Sequence, residues 1–159
     1  MVFRLLPGNS PGNLHLLLFA LTTLLFLGAL IGWPIGFFTG RSSRAASARP
    51  NPFLARLARW AAALFGLLWL LFLLGMGAIF MDIHPGFGVP KIVFETPPLL
   101  YNLMRLPLGM AGLALVMLVF AVLAWVQRYW GWVGRSFYSL LTLFALLLTS
   151  SLIYWNLLL

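Results

Sequence analysis

The sequence predicts an all-α protein that crosses a lipid bilayer as a four-helix bundle. Hydrophobic residues make up 63% of the 159-residue chain and charged residues only 8%, whereas an average soluble domain is about half apolar and about a quarter charged. Mean hydropathy is +1.04, and four uncharged apolar stretches reach the roughly 20 residues that a membrane-spanning helix needs. A soluble globule would lack the polar residues to cover its surface, and a disordered chain requires low hydrophobicity. Both classes are therefore excluded.

The predicted elements follow from turn residues and from the lengths of the apolar runs. Residues 1–13 contain two Pro-Gly pairs, which are turn signals, and form an external lead-in. Residues 14–159 form one transmembrane domain with helices at about 14–38, 60–81, 106–126 and 137–159. The runs are continuously apolar, which favours helices, because transmembrane strands alternate apolar and polar residues.

The first apolar run has a competing interpretation as a signal peptide. Arg4 precedes it, and Ala46-Ser47-Ala48 has the small residues of a cleavage site. The run is about 25 residues long, however, whereas the apolar region of a signal peptide usually has about 7–15. We therefore favour a retained helix.

The distribution of basic residues predicts the orientation. The net charge is +8 with two acidic residues in the whole chain, and no nucleic-acid-binding motif accompanies it, so we expect no nucleic-acid partner. Most arginines lie in or beside the first and third loops, and the positive-inside rule places these loops in the cytoplasm and both termini outside. The residues that set this topology are Arg41, Arg44, Arg49, Arg56, Arg59, Arg128 and Arg135.

The first helix carries a repeated G-x-x-x-G pattern, formed by Gly28, Gly32, Gly36 and Gly40. Glycines at this spacing let a second helix approach closely, which predicts a helix-packing face. We favour packing within the bundle. The alternative is a dimer seam or a docking face for another subunit.

Residues that could carry chemistry are scarce, and we expect no catalytic, cofactor or metal site. The chain has no cysteine, and its titratable side chains other than Arg and Tyr are His15, Asp82, His84, Lys91 and Glu95. The four in the second loop predict a hydrated turn with Lys91 paired to Glu95. A metal or proton-relay site is the alternative there, and haem ligation by the two histidines is a further one.

A resemblance to a known family rests on apolar and aromatic motifs between about residues 15 and 159. These motifs are Arg-Leu-Ala-Arg-Trp at 56–60, Phe94, Pro-Pro-Leu-Leu at 97–100, Leu-Pro-Leu at 106–108, Val-Phe-Ala-Val-Leu-Ala-Trp at 119–125, Arg-Tyr-Trp at 128–130, Gly-Arg at 134–135 and Tyr-Trp-Asn-Leu-Leu at 154–158. This pattern resembles the C-terminal four-helix membrane region of bacterial serine hydrolases related to beta-lactamases and penicillin-binding proteins.

The resemblance implies a location in the bacterial cytoplasmic (inner) membrane and an extracytoplasmic hydrolase domain ahead of the membrane region. The hydrolase domain is absent here: the chain lacks a Ser-x-x-Lys motif, since position 88, three residues before its single lysine Lys91, is glycine. No catalytic residue carries over.

The expected function is that of a non-catalytic membrane anchor or docking module. Its partners would be membrane lipid and an extracytoplasmic protein, such as a beta-lactamase-like serine hydrolase. The alternative is an accessory structural subunit of a larger membrane complex of the respiratory or photosynthetic type. An autonomous membrane enzyme or transporter is a third class. It is disfavoured because the apolar stretches carry no formally charged side chain of the kind that transport pathways use.

Overall fold

A computed structural model describes residues 11–38, 52–128 and 130–154, with side chains from residues 13–32, 53–128 and 130–154. This part of the chain is all-α, as predicted. Its helices are α1 (Pro11–Phe38), α2 (Pro52–Met81), α3 (Pro98–Leu103), α4 (Leu106–Gln127) and α5 (Trp132–Tyr154), with a short 3-10 helix at Lys91–Val93. Four stretches are long and apolar enough to cross a membrane, namely Asn13–Gly32, Phe53–Met81, Pro98–Gln127 and Trp132–Tyr154.

Three of the four long helices begin earlier than the apolar runs that predict them, and α4 begins at the predicted Leu106. Pro11 and Pro52 are the first residues of α1 and α2, where proline is favoured because its missing N–H would be unsatisfied in any case. Residues 11–13, predicted as lead-in, are therefore helical. The predicted starts at 60 and 137 also miss the first turns of α2 and α5, because arginine is a good helix former and does not end a helix. Residues 1–10 and 155–159 lie outside the described part of the chain.

The four long helices close a ring in which each packs on two neighbours: α1 on α2 and α5, and α4 on α2 and α5. Alanines line much of the core, including Ala58, Ala62, Ala114, Ala121, Ala124 and Ala145. Within a bilayer the lipid tails are as apolar as leucine, so helices associate through close van der Waals contact, which small residues permit. Aromatic side chains fill the remaining space, and Phe26 and Phe65 pack with ring centroids 4.9 Å apart.

Threonine hydroxyls inside the described helices are satisfied locally or across the α1–α2 contact. Thr22 and Thr142 donate to the carbonyls four residues earlier. The hydroxyl of Thr23 donates to the Phe19 carbonyl and accepts a 2.9 Å hydrogen bond from the indole N–H of Trp69. This bond joins α1 to α2 within the apolar interior.

The short helix α3 is held against α2 by a close approach at Gly75. A Cβ at this position would lie 2.7 Å from Leu103 Cδ1, and Leu103 is buried. Glycine thus lets α3 rest on α2, which fixes the segment between α2 and α4 at one end of the bundle.

Candidate functional site

Polar groups with defined geometry gather at the two ends of the bundle. We call residues 82–105 the loop end. The opposite end, which we call the arginine end, contains Arg56, Arg59, Arg128 and Arg135. The two ends are described in turn because they offer different chemistry.

The first half of the loop end is a closed turn. Ile83 and Pro90 form an isolated antiparallel bridge, and the backbone N–H of Lys91 donates to the Asp82 carbonyl at 2.8 Å. Gly88 has a positive φ of 64°, which glycine adopts without the steric penalty of a Cβ. The turn thereby brings the side chains of Asp82 and Lys91 together.

The partner of Lys91 is Asp82 and not Glu95, so the predicted Lys91–Glu95 pair is wrong. Lys91 Nζ lies 2.8 Å from Asp82 Oδ1. The hydrogen bond to Asp82, together with its charge, raises the pKa of Lys91, and Glu95 adds a smaller effect in the same direction. The pair is solvent-exposed, so it closes the turn without adding much to global stability.

His84 belongs to an aromatic group on the same turn. Its ring lies 5.2 Å from that of Phe87 and 5.6 Å from that of Phe94, and its Nδ1 accepts a 3.2 Å hydrogen bond from the Gly86 N–H. Phe87 and Phe94 remain exposed. Among the described residues, no three His, Asp or Glu side chains lie close enough to share a metal ion. The geometry shown is that of a closed turn that carries an exposed ion pair and an aromatic group.

His15 meets α5 through Ser151 and Tyr154. Its Nδ1 is 2.6 Å from Ser151 Oγ, and its ring stacks on that of Tyr154 at a centroid distance of 5.6 Å. These contacts fasten the start of α1 to the end of α5. They give His15 a packing role, and they do not test the alternative of haem ligation with His84.

The arginine end contains a cavity between α2 and α5. The cavity has a volume of about 110 Å³ and is lined by Arg59, Trp130, Gly134, Phe137 and Tyr138. Arg59 Cζ lies 5.7 Å from the Trp130 ring centroid, a cation–π distance. The Trp130 ring in turn lies 5.1 Å from the Tyr138 ring.

The α4–α5 connection positions Trp130 beneath this cavity. Arg128 ends α4 in the left-handed conformation, with φ 52° and ψ 41°, so the chain reverses within a few residues. Gly134 allows Trp130 to pack closely, since a Cβ there would lie 2.9 Å from Trp130 Cβ. Beside the cavity, Arg135 Cζ lies 4.9 Å from the Trp125 ring, and the Trp125 indole N–H donates to Ser139 Oγ at 2.9 Å.

The arginines that are predicted to set the topology share one end of the bundle wherever the structure describes them. Arg56, Arg59, Arg128 and Arg135 share one end, while Asp82 and Glu95, the only acidic side chains of the whole sequence, belong to the other. Arg41, Arg44 and Arg49 lie outside the described residues. The arginine end therefore carries excess positive charge that no Asp or Glu side chain of this chain offsets.

The glycine face behaves differently from the expected internal seam. A Cβ at Gly28 or Gly32 would meet no heavy atom within 4 Å, so these two positions do not pack against another described helix and that interpretation is wrong for them. Packing against a second chain stays a prediction. The surroundings of Gly36 and all of Gly40 lie outside the described structure. Gly66, which the G-x-x-x-G pattern did not indicate, is the tight contact between α2 and α1, with Phe26 Cδ1 3.0 Å from a built Cβ.

The cavity of the arginine end was also missed from sequence. The sequence assigns Arg59 to topology because arginines beside a span are typical of that role, and it offers Trp130 as part of the Arg-Tyr-Trp motif. Their contact with Tyr138 depends on the turn at Arg128. No residue type at this turn predicts the left-handed backbone of Arg128.

No family model, no curated protein and no solved structure matches this chain. The resemblance to the membrane region of serine hydrolases therefore stays an expectation from the residue motifs, which these comparisons do not support.

Proposed function

We propose that the chain is a non-catalytic membrane module, an integral four-helix bundle of the bacterial cytoplasmic membrane that holds a protein partner at the extracytoplasmic face. The arginine end lies in the cytoplasm and the loop end outside. The observation that carries the proposal is the position of the charged groups. The charged side chains with described positions lie at the two ends, and the ring of helices between them is packed with Ala and aromatic residues.

The loop end supplies a fixed surface for such a partner. The Asp82–Lys91 pair closes the turn, and the contact of Leu103 with Gly75 holds α3 on α2. Phe87 and Phe94 stay exposed on this constrained segment. Rigid presentation lowers the entropy lost on association, which favours docking.

Copurification tests this proposal. The tagged full chain is extracted from its native membrane in mild detergent and the retained proteins are identified. We expect an extracytoplasmic serine hydrolase of the beta-lactamase type. Labelling of the chain itself by a fluorescent penicillin would contradict the proposal, because it would show a nucleophile in a chain proposed to have none.

A second candidate is an accessory subunit that packs within a larger membrane complex. The open side of α1 favours it, because Gly28 and Gly32 leave space for another helix. Gly32→Leu would fill that space, and Gly77→Leu is a matched control at a second open position, on α2. Retention of cofactor-bearing subunits that are lost only with Gly32→Leu would establish this candidate in place of the first.

A further inference from the structure

The cavity at the arginine end has the size of a small anionic group. Its volume of about 110 Å³ is several times the roughly 10–15 Å³ that one water requires. Arg59 and Tyr138 supply the polar groups among its lining residues, and Trp130 and Phe137 supply apolar walls. A few convergent polar groups in an apolar cleft are typical of a small-ligand site.

Tyr138 provides a hydrogen-bond donor that the described chain does not use. The residue is 1% exposed, and its buried hydroxyl has no hydrogen-bond partner among the described residues. Leaving such a group unpaired is unfavourable. An occupant of the cavity whose acceptor oxygen reaches this hydroxyl would satisfy it.

Arg59 selects the charge of that occupant. A guanidinium carries five N–H donors in a planar fork that suits carboxylate and phosphate oxygens, and it can stack on an indole while it binds. The Trp130 ring already provides that stacking surface. Since Asp82 and Glu95 lie at the opposite end of the bundle, neither can supply the anion.

The depth of the site favours a lipid over a free ion. Tyr138 lies six residues after Trp132, the first residue of α5, which corresponds to about 9 Å along the helix. The headgroup layer on each side of a bilayer is about 5–8 Å thick. With Trp132 taken at the membrane surface, the cavity lies at the level where headgroup phosphates meet the acyl chains. Exposed Leu140, Leu143 and Leu147 lie farther along the same helix and offer apolar surface for those chains.

We infer that the cavity lined by Arg59, Trp130 and Tyr138 binds the phosphate group of an anionic phospholipid. The guanidinium pairs with the phosphate, and the Tyr138 hydroxyl donates a hydrogen bond to one of its oxygens. Basic pockets between transmembrane helices are known to hold such headgroups. The inference does not depend on the proposed partner or on which side of the membrane the arginine end faces.

The test uses the purified full chain, delipidated in a neutral detergent. Phosphatidylglycerol, diacylglycerol with the same acyl chains, and inorganic phosphate are each titrated, and binding is followed by native mass spectrometry and by the midpoint of thermal unfolding. We expect phosphatidylglycerol to bind and to raise the midpoint, and the phosphate-free diacylglycerol to do neither. Inorganic phosphate that binds as tightly as phosphatidylglycerol would overturn the lipid assignment.

Three variants separate the cavity from general attraction to positive charge. Tyr138→Phe removes one hydroxyl and Arg59→Gln one charge, and each should weaken phosphatidylglycerol binding about tenfold, the effect of one hydrogen bond to a charged group. Arg56→Gln removes the same charge from an exposed residue outside the cavity and should bind within twofold of the unaltered chain.

The lipid-free Tyr138→Phe protein should unfold at the same temperature as the unaltered chain or higher, because it loses a buried, unpaired hydroxyl. This measurement shows that its weaker binding does not come from misfolding. Unchanged binding in both cavity variants, or an equal loss in Arg56→Gln, would refute the site.

Discussion

At the scale of single residues, glycines with similar sequence neighbours have opposite surroundings. Gly66 lies in the α1–α2 contact, where a built Cβ would be 3.0 Å from Phe26 Cδ1 and 3.2 Å from Phe26 Cβ. Phe26 is completely buried, so it has little freedom to move away. Gly32 faces open space. The value of each glycine to stability therefore depends on its neighbour and not on its place in a repeat.

Gly66→Leu is expected to destabilise the bundle by about 1–3 kcal/mol, the usual cost of overpacking. Gly32→Leu should leave the isolated chain as stable as before or slightly more so, since leucine is the better helix former by up to about 1 kcal/mol. Thermal unfolding in detergent, followed by circular dichroism, compares the two. Equal destabilisation by both substitutions would mean that α1 is packed on its glycine side as well.

The ion pair of the loop end is expected to be visible in the titration of Lys91. Because Asp82 holds the ammonium charged, the pKa of Lys91 lies above its ordinary value. The stabilising contribution of the pair is present at neutral pH and is lost as the pH rises through that raised pKa. Nuclear magnetic resonance of the lysine side chain should show the elevated midpoint, which Asp82→Asn should lower.

Glu95→Gln is the matched control, since Glu95 contributes the smaller electrostatic effect. A larger downward change of the midpoint with Glu95→Gln than with Asp82→Asn would restore the sequence-based pairing. The bridge between Ile83 and Pro90, which sets the actual register, has no local sequence signature.

At the scale of the helices, the α1–α2 contact depends on one hydrogen bond between side chains in addition to packing. The Trp69 N–H and the Thr23 hydroxyl are 2.9 Å apart, and Phe19 meets the Trp69 ring edge-on at 5.4 Å. Such bonds between membrane helices contribute on average about 0.6 kcal/mol and at most about 1.7. The contact therefore relies mainly on shape.

A double-mutant cycle with Trp69→Phe and Thr23→Val should give a coupling free energy of about 0.5–1.5 kcal/mol. Each single variant loses the bond, so the second substitution should cost less once the first is present. Unfolding in detergent measures all four proteins. Strict additivity would show that the bond contributes nothing, and a coupling well above this range would show that the two residues act through a shared rearrangement.

The four spans were predictable from sequence, while helix starts and lateral contacts were not. The length of an apolar run indicates how much of the chain can lie in lipid, and this pattern predicts the span at 60–81. The first turns of α2 contain Arg56 and Arg59. A hydropathy pattern does not detect helical turns that contain charged residues. Which helix faces meet depends on side-chain shape: Gly66 fits Phe26, whereas the more regular repeat at Gly28 and Gly32 meets nothing within 4 Å.

At the scale of the whole molecule, the two ends differ in charge and in shape. One end carries four arginines of the described structure, and the other carries both acidic side chains of the sequence together with Lys91 and Arg105. The cavity lined by Arg59 lies at the first, and the closed turn with its exposed aromatic rings at the second. With these different ends, the two opposite orientations of the bundle in a membrane would differ in free energy.

The orientation is tested by thiol accessibility. The chain has no cysteine, so each introduced cysteine is labelled without background from the chain. In intact cells, Gly86→Cys at the loop end should react with an impermeant maleimide, and Ser43→Cys in the first loop should react only after the membrane is opened. Excess positive charge on the cytoplasmic side is the physical reason. The reverse pattern would place both termini inside and remove the support for an extracytoplasmic partner.

In a membrane, the position of four arginines at the end opposite the two acidic residues would make the bundle sensitive to voltage. Moving one elementary charge through 100 mV changes its energy by about 2.3 kcal/mol. In the proposed orientation, inverting the bundle would carry Arg56, Arg59, Arg128 and Arg135 against an interior-negative potential. The electrical work for those four charges is about 9 kcal/mol at 100 mV, so an energised membrane would keep the inserted bundle from turning over.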